Sequence, residues 1–317
     1  MENITLKSII SEVGLIITPN DEKCNLIITN IRKKVKKYVE DNKLQSLVIG
    51  ISGGLDSSVV ASLCQEKYIG VPLIGLSIPM SSSNEHKEQA QWIGNKYCST
   101  FEEFIDFDEK LPKENNLYGS VYQPFYDILF GRLEKTDRIA NKAGFKTETF
   151  PKSILQGNMK ARLRMITLYD LARKTNGLVL STDNLSEFNM GFWTICGDVG
   201  DYGPIQNLGK GFELPAIAKA LGIREDIITQ PPSDGLMVTE DNTDEAQLGA
   251  NYKEVDTIMA IVSFSLEIGE KEKQELKSKL FSIDIDGAKI GKVLLRYENM
   301  HYKRNGTLNL TRKDIGI

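Results

Sequence analysis

The 317 residues suffice to bury a large core, as one generous domain or one domain with an appendage. Hydrophobic residues make up 41% and charged residues 26%, ordinary for a globular chain, and a formal net charge of -4 argues against a nucleic-acid binder. No apolar run approaches a membrane span of ~20 residues. Cys24, Cys64, Cys98 and Cys196 lack CxxC spacing, so reduced thiols in a cytoplasmic protein are expected, not a zinc site or a disulfide frame.

The stretch Ile9 to Ile17 is interrupted by Ser11, Glu12 and Gly14 and has no basic lead, so no secretory signal is expected. Ile27, Ile28, Ile31, Val35, Tyr38 and Val39 predict an amphipathic helix over 21–42, with the basic cluster Arg32 to Lys37 on a solvated face. A strand from Leu47 to Ile51 leads into Ser52-Gly53-Gly54-Leu55-Asp56-Ser57-Ser58, and Val59 to Leu63 continues as a helix. A strand, a glycine turn and a helix start gather backbone N–H groups at the positive end of a helix dipole, which suits phosphate. The glycines let the backbone come close to a phosphate, and three serines offer hydroxyls. Asp56 would repel phosphates unless a divalent cation lay between them, so the pattern implies a nucleotide with Mg²⁺. A tight turn capped by Asp56 or Ser57 is the plainer alternative.

A second strand, Leu73 to Ile78, ends at Pro79-Met80; a helix over 84–97 and a strand over 101–105 follow. This alternation predicts a parallel α/β sheet that binds ligands at the carboxyl ends of its strands, where Ser52 and Pro79 fall. There the backbone of Ile78 and Met80 either holds an adenine edge or simply turns. Between Pro112 and Pro151, the aromatic stripe Tyr118, Tyr122, Phe125, Tyr126, Leu129, Phe130 reads as core or subunit contact, without chemistry.

A long helix over 157–175 carries Arg162, suited to a carboxylate or phosphate, or to a surface ion pair. The strand Gly177 to Ser181 places Thr182 at the ligand-binding edge, and Asp183 is expected to cap a short helix bearing Glu187. Asp56 and Glu187 would supply two hard oxygen ligands for Mg²⁺, unless Glu187 only complements the helix start. Gly197 to Pro204 reads as a loop with two carboxylates, Lys210 precedes a helix over 214–221, and Pro231 to Leu236 begins a second loop. Helices around 251–268 and 285–300 precede the basic tail His301-Tyr302-Lys303-Arg304.

The SGGLDS segment resembles the pyrophosphate loop of the ATP pyrophosphatases, which cleave ATP between its α and β phosphates and adenylate a substrate oxygen. Further segments are similar to those of the NAD synthetases: Gln156-Gly157-Asn158, Lys160-Ala161-Arg162, Arg164-Met165, Thr182 through Glu187, Gly191-Phe192, Gly197-Asp198, Lys210, Pro232-Ser233, Thr243-Asp244-Glu245 with Leu248-Gly249, and Tyr302-Lys303-Arg304. The resemblance implies one synthetase domain over residues 1–317, a doubly wound parallel α/β sheet with helices on both faces and a helical C-terminal part. It implies that Gly50, Ile51, Ser52, Gly53, Gly54, Leu55, Asp56 and Ser57 bind ATP with Thr182, Lys210 and Ser233. Asp56 and Glu187 would hold Mg²⁺, and Asp56 and Lys210 would be catalytic. Arg162, Asp201, Tyr302 and Lys303 would bind deamido-NAD at the interface of a homodimer. The implied reaction adenylates the nicotinate carboxylate, releases pyrophosphate, and lets ammonia displace AMP, without a covalent nucleophile.

Three features depart from that pattern. Ile195 stands where ammonia-using members usually carry lysine, the loop is one residue short before Asp201, and 112–150 matches nothing. Fewer than fifty residues precede Gly50, too few for a glutaminase domain, so the expected nitrogen donor is free ammonia, with a separate glutaminase left open. The rivals are another enzyme with this loop (an amidase or a tRNA-modifying enzyme) and a nucleotide-binding homologue without turnover. The lack of basic patches and CxxC disfavours the tRNA enzymes; retention of Asp56, Glu187 and Lys210 disfavours a mere binder.

Overall fold

The structure is a computed structural model that describes residues 6–80, 82–104, 136, 138–146, 152–233, 243–262, 269–281 and 287–306. The aromatic stripe of 118–130, the loop from 234 to 242 and the expected helical residues 263–268 lie outside the described residues.

Four strands, β1 (Ser46–Gly50), β2 (Leu73–Ser77), β3 (Thr100–Glu103) and β4 (Gly177–Val179), form a parallel sheet in the order β3-β2-β1-β4. In this register Val48 lies opposite Ile74 on one side and Val179 on the other. Successive side chains of β1 point to opposite faces. Leu47 and Ile49 join a core with Ile28, Val35 and Val39 of α2 (Asp21–Asp41), Val59, Val60 and Leu63 of α3 (Leu55–Leu63), and Leu214 and Ile217. Val48 faces the other way, onto Met165, Leu168 and Ala172 of α6 (Lys152–Lys174). Helices α4 (Glu66–Ile69) and α5 (Asn84–Tyr97) complete the first layer. Both faces are covered, the condition for an all-parallel sheet and the doubly wound arrangement expected. With β2 on one side of β1 and β4 on the other, the strand order reverses beside the carboxyl end of β1, the switch point where such sheets bind ligands.

The C-terminal part is helical, as expected: α7 (Leu185–Met190), α8 (Glu213–Ala220), α9 (Glu225–Thr229), α10 (Asp244–Leu248), α11 (Tyr252–Val262), α12 (Glu270–Phe281), α13 (Gly287–Asn299) and α14 (His301–Arg304). Helix α12 escapes sequence analysis because its charges dominate its few apolar residues. An unexpected helix α1 (Leu6–Ile17) precedes α2. Its Ile9, Val13 and Ile17, spaced four apart, pack on Ala260, Ile261 and Leu276. Gly14, read from sequence as an interruption, is a notch, since a Cβ there would stand 2.5 Å from the Phe212 ring. None of the described helices is long and apolar enough to cross a membrane, and all four cysteines are free.

Candidate active site

The glycine loop closes the carboxyl end of β1. Ile51 N–H donates to the Leu76 carbonyl at 2.8 Å, and the chain turns through Gly53 at φ +91°, where a Cβ would collide with the His86 carbonyl oxygen. Glycine meets both demands. Helix α3 starts with Gly54 as its N-cap and no side-chain cap, so the alternative of a turn capped by Asp56 or Ser57 does not hold. Its first N–H groups are thus oriented as an anion site. The Ser57 and Ser58 hydroxyls donate to the Gly54 carbonyl at 3.1 and 2.8 Å and brace the turn.

Three carboxylates from distant parts of the chain converge on one ammonium. Lys210 Nζ lies 2.9 Å from Asp56 Oδ2, 3.0 Å from Glu187 Oε1 and 3.5 Å from Asp244 Oδ2. Burial opposes the charge on Lys210, but Asp56 and Glu187 outweigh it and hold the amine protonated well above the ordinary lysine range. Burial raises the Glu187 pKa, reinforced by Asp56 and Asp244 and opposed by Lys210. The Tyr252 hydroxyl donates to Asp244 Oδ2 at 2.9 Å, with Glu187 Oε1 at 3.3 Å, and its ring lies 4.6 Å from Lys210 Nζ.

The cap of α7 is Asn184 and not Asp183. Asn184 Oδ1 accepts the Glu187 N–H at 3.0 Å while Glu187 Oε2 accepts the Asn184 N–H at 3.3 Å, a capping box. Asn184 Nδ2 also donates to Asp56 Oδ1 at 3.2 Å. Asp183 instead accepts from Ser181 Oγ, and from Gln206 Nε2 at 2.8 Å. The expectation of Asp183 as cap fails because Ser181 and Gln206 claim its carboxylate.

A cavity of about 710 Å³ extends from the loop past Pro79, Thr182, Ser233 and Lys210 to Phe192, Trp193 and Lys303. Trp193 stacks on Phe188 with centroids 5.9 Å apart and planes 6° from parallel. At Ile78 and Met80, whose backbone the sequence reads as either an adenine contact or a plain turn, the carbonyls are engaged from α6: Arg164 Nε donates to Ile78 at 3.1 Å and Lys160 Nζ to Met80 at 3.2 Å.

Of the residues singled out by sequence, Gly50, Ile51, Ser52, Gly54, Asp56, Thr182, Glu187, Lys210, Ser233 and Lys303 line this one cavity. Gly53, Leu55 and Ser57 belong to the loop without forming its wall. Arg162, Asp201 and Tyr302 do not line it within one chain. Arg162 donates twice to the Ile195 carbonyl, at 3.3 and 3.2 Å. Asp201 accepts the Tyr169 hydroxyl at 2.8 Å and the Val179 N–H at 3.2 Å, and Tyr302 is 58% exposed. Lys303 turns its ammonium to the carbonyls of Gly191 and Trp193 at 2.8 and 2.6 Å. Arg296 and Arg304 donate to those of Met190 and Asn189 at 2.9 and 2.8 Å. Three cations thereby close the C-terminal end of α7. Sequence analysis gave no role to Asn184, Asp244 or Tyr252. The first two stand inside segments that resemble the synthetases, whereas an aromatic at a helix start carries no signal.

Known proteins share this arrangement of segments. The pattern of the NAD synthase family matches residues 27–104 and 130–307. The NH(3)-dependent NAD(+) synthetase of Finegoldia magna is 35% identical over 228 residues, 72% of this chain and 80% of that protein. The one of Methanocaldococcus jannaschii is 34% identical over 247 residues, 76% of this chain and 82% of its own. Among solved structures, the NH3-dependent NAD synthetase of Campylobacter jejuni superposes with a TM-score of 0.63 at 23% identity, covering 91% of this chain and 99% of that one, a likeness of fold. The loop, the carboxylate–lysine cluster and these matches converge, and the chain belongs to the NAD synthase family.

Proposed function

We propose that this protein is a ligase that amidates deamido-NAD with ammonia at the expense of ATP, giving NAD, AMP and pyrophosphate. The observation that carries this reading is Lys210, held charged between Asp56 and Glu187 beside the uncapped start of α3. The loop amides and the helix dipole would hold the phosphates. A carboxylate oxygen of the nicotinate ring attacks the α-phosphorus, and the bond to the bridging oxygen of the β-phosphate breaks, releasing pyrophosphate. Ammonia then attacks the acyl carbon, the bond to the AMP oxygen breaks, and one proton leaves the nitrogen. Lys210 would stabilise the charge gathering on the departing pyrophosphate. No side chain need form a covalent bond, so the chain supplies position and charge.

The donor set suits Mg²⁺, because Asp56 and Glu187 bring hard oxygens to one buried place, each within 3.0 Å of Lys210 Nζ. Nucleotide oxygens and water would complete the shell. A bound Mg²⁺ would offset the charge of the triphosphate and of its leaving group.

A homodimer with deamido-NAD at its interface is part of this reading. Arg162, Ile166 and Tyr169 follow at i, i+4 and i+7 on one face of α6, and Ile166 is 62% exposed. That face, with the exposed Ile195, would carry Arg162 to the partner's dinucleotide, with Asp201, Tyr302 and Lys303 nearby. We place the enzyme in the cytoplasm on its free thiols. The test is product analysis of the pure chain with ATP, Mg²⁺, deamido-NAD and either ammonium or glutamine. Pyrophosphate and NAD should form with ammonium, and turnover on glutamine alone would refute the assignment of the nitrogen donor. Pyrophosphate release indifferent to deamido-NAD would refute the assignment of the substrate.

A further inference from the structure

Asp256 is a buried carboxylate outside the proposed chemistry. It sits on α11, 3% exposed, and burial pushes its pKa up to about 6, so placing it there costs stability. Its Oδ1 accepts the Ser186 hydroxyl, and its Oδ2 accepts the Gly211 N–H at 2.8 Å. Ser186 Oγ in turn accepts the Lys210 N–H at 2.8 Å. Ser186 directly precedes Glu187, and Gly211 directly follows Lys210. One carboxylate thus grips the backbone of the lysine and the helix turn that presents its carboxylate partner. The glycines flanking Lys210 make room for this grip. A Cβ on Gly209 would stand 2.5 Å from Asp256 Oδ2, and one on Gly211 would stand 2.7 Å from the Tyr252 carbonyl.

We propose that Asp256 is a positioning residue that sets Lys210 in register with Glu187, through Ser186 and the Gly211 amide. A lysine reaches its target on four rotatable methylenes, so its ammonium is placed only as well as its backbone is anchored. Misplacement by about an ångström costs on the order of a hundredfold in rate. The effect on turnover rests on the reading that Lys210 serves the nucleotide's phosphates; the effect on Lys210 itself does not.

The test uses full-length Asp256→Ala, Asp256→Asn and Ser186→Ala. With ATP, Mg²⁺, deamido-NAD and ammonium, Asp256→Ala should lose about a hundredfold in kcat with less than a threefold change in KM for ATP. Asp256→Asn keeps an acceptor for Gly211 and should recover about tenfold of that loss. Adding Ser186→Ala to Asp256→Ala should cost less than Ser186→Ala costs alone, since the two share the arm that runs through the Ser186 hydroxyl. Acetylation of Lys210 by acetic anhydride, followed by peptide mass spectrometry, reads the same anchoring without turnover. It should speed up about tenfold in Asp256→Ala at temperatures where circular dichroism shows the protein folded. Unchanged kcat with unchanged Lys210 acetylation in folded variants would overturn the proposal. An inactive wild type whose Lys210 still becomes reactive on substitution would overturn the functional reading and leave the linkage standing. If Asp256→Ala does not fold, Asp256→Asn and Ser186→Ala carry both readouts, and equality with wild type in both is the overturning result.

Discussion

Asn184 donates its side-chain amide to Asp56 across 3.2 Å while its own carbonyl oxygen caps the helix that carries Glu187. One side chain therefore sets the start of α7 and the direction of the loop carboxylate. Asn184→Ala should cost about 1–2 kcal/mol of stability through the lost cap. Asn184→Asp keeps a competent cap but sets a carboxylate against Asp56, so it should lose turnover out of proportion to stability. Urea unfolding beside steady-state rates separates the two variants, and parallel losses in both would refute the dual role.

Lys210→Met leaves Asp56, Glu187 and Asp244 buried around an uncharged side chain, at a cost of about 3–5 kcal/mol. The sign of the pH dependence follows from Glu187. Its folded-state pKa is already raised by burial, and Lys210 is the group that restrains the rise. A carboxyl group with a raised folded-state pKa favours folding while protonated, and that contribution is lost as pH rises through the folded-state value. That value is about 8 in the wild type and rises further without the lysine, so the gap in stability between wild type and Lys210→Met should open above pH 8 and be wider at about pH 9.5 than at about pH 7. Denaturant titrations at the two pH values check this; a gap that narrows with rising pH would contradict the cluster.

Gly53→Ala meets a positive φ and the His86 carbonyl oxygen at once. It should cost about 1–3 kcal/mol and lower ATP affinity by at least about tenfold, because the amides of the loop must shift. Isothermal calorimetry with Mg·ATP, together with a thermal melt, measures both. Normal affinity in this variant would remove the loop from the nucleotide site.

Lys303→Met removes two hydrogen bonds from the turn that carries Trp193. The ring should loosen from Phe188, shifting tryptophan emission to longer wavelength before any ligand is added. A change in dinucleotide KM without that spectral shift would instead make Lys303 a direct ligand contact.

The loop and the sheet were legible because their signals are local. Leu47 to Ile51 is an unbroken apolar run, and the paired glycines punctuate it within a few residues. The sequence pairs Asp56 with Glu187, but not with the Lys210 ammonium and the Asp244 carboxylate that join them, since that meeting depends on how β4, α7 and α10 return beside β1. Asp183 and Asn184 are equally good caps by residue type. The choice between them is nonetheless written in the spacing, since Asn184 stands three residues before Glu187, the capping-box pattern, whereas the third residue after Asp183 is Ser186. Tyr252 and Asp256 lie on a helix whose periodicity marks a core, and only tertiary structure turns them toward Lys210.

The contact of Ile9, Val13 and Ile17 with Ala260 and Ile261 makes the first helix a buttress for the one that bears Tyr252 and Asp256. A deletion that spared every loop and every charged group would still withdraw that support, baring a greasy stripe on α11 and slackening its hold on Lys210. Helix α1 therefore stands directly behind that site, though more than two hundred residues of chain separate it from the helix on which it packs.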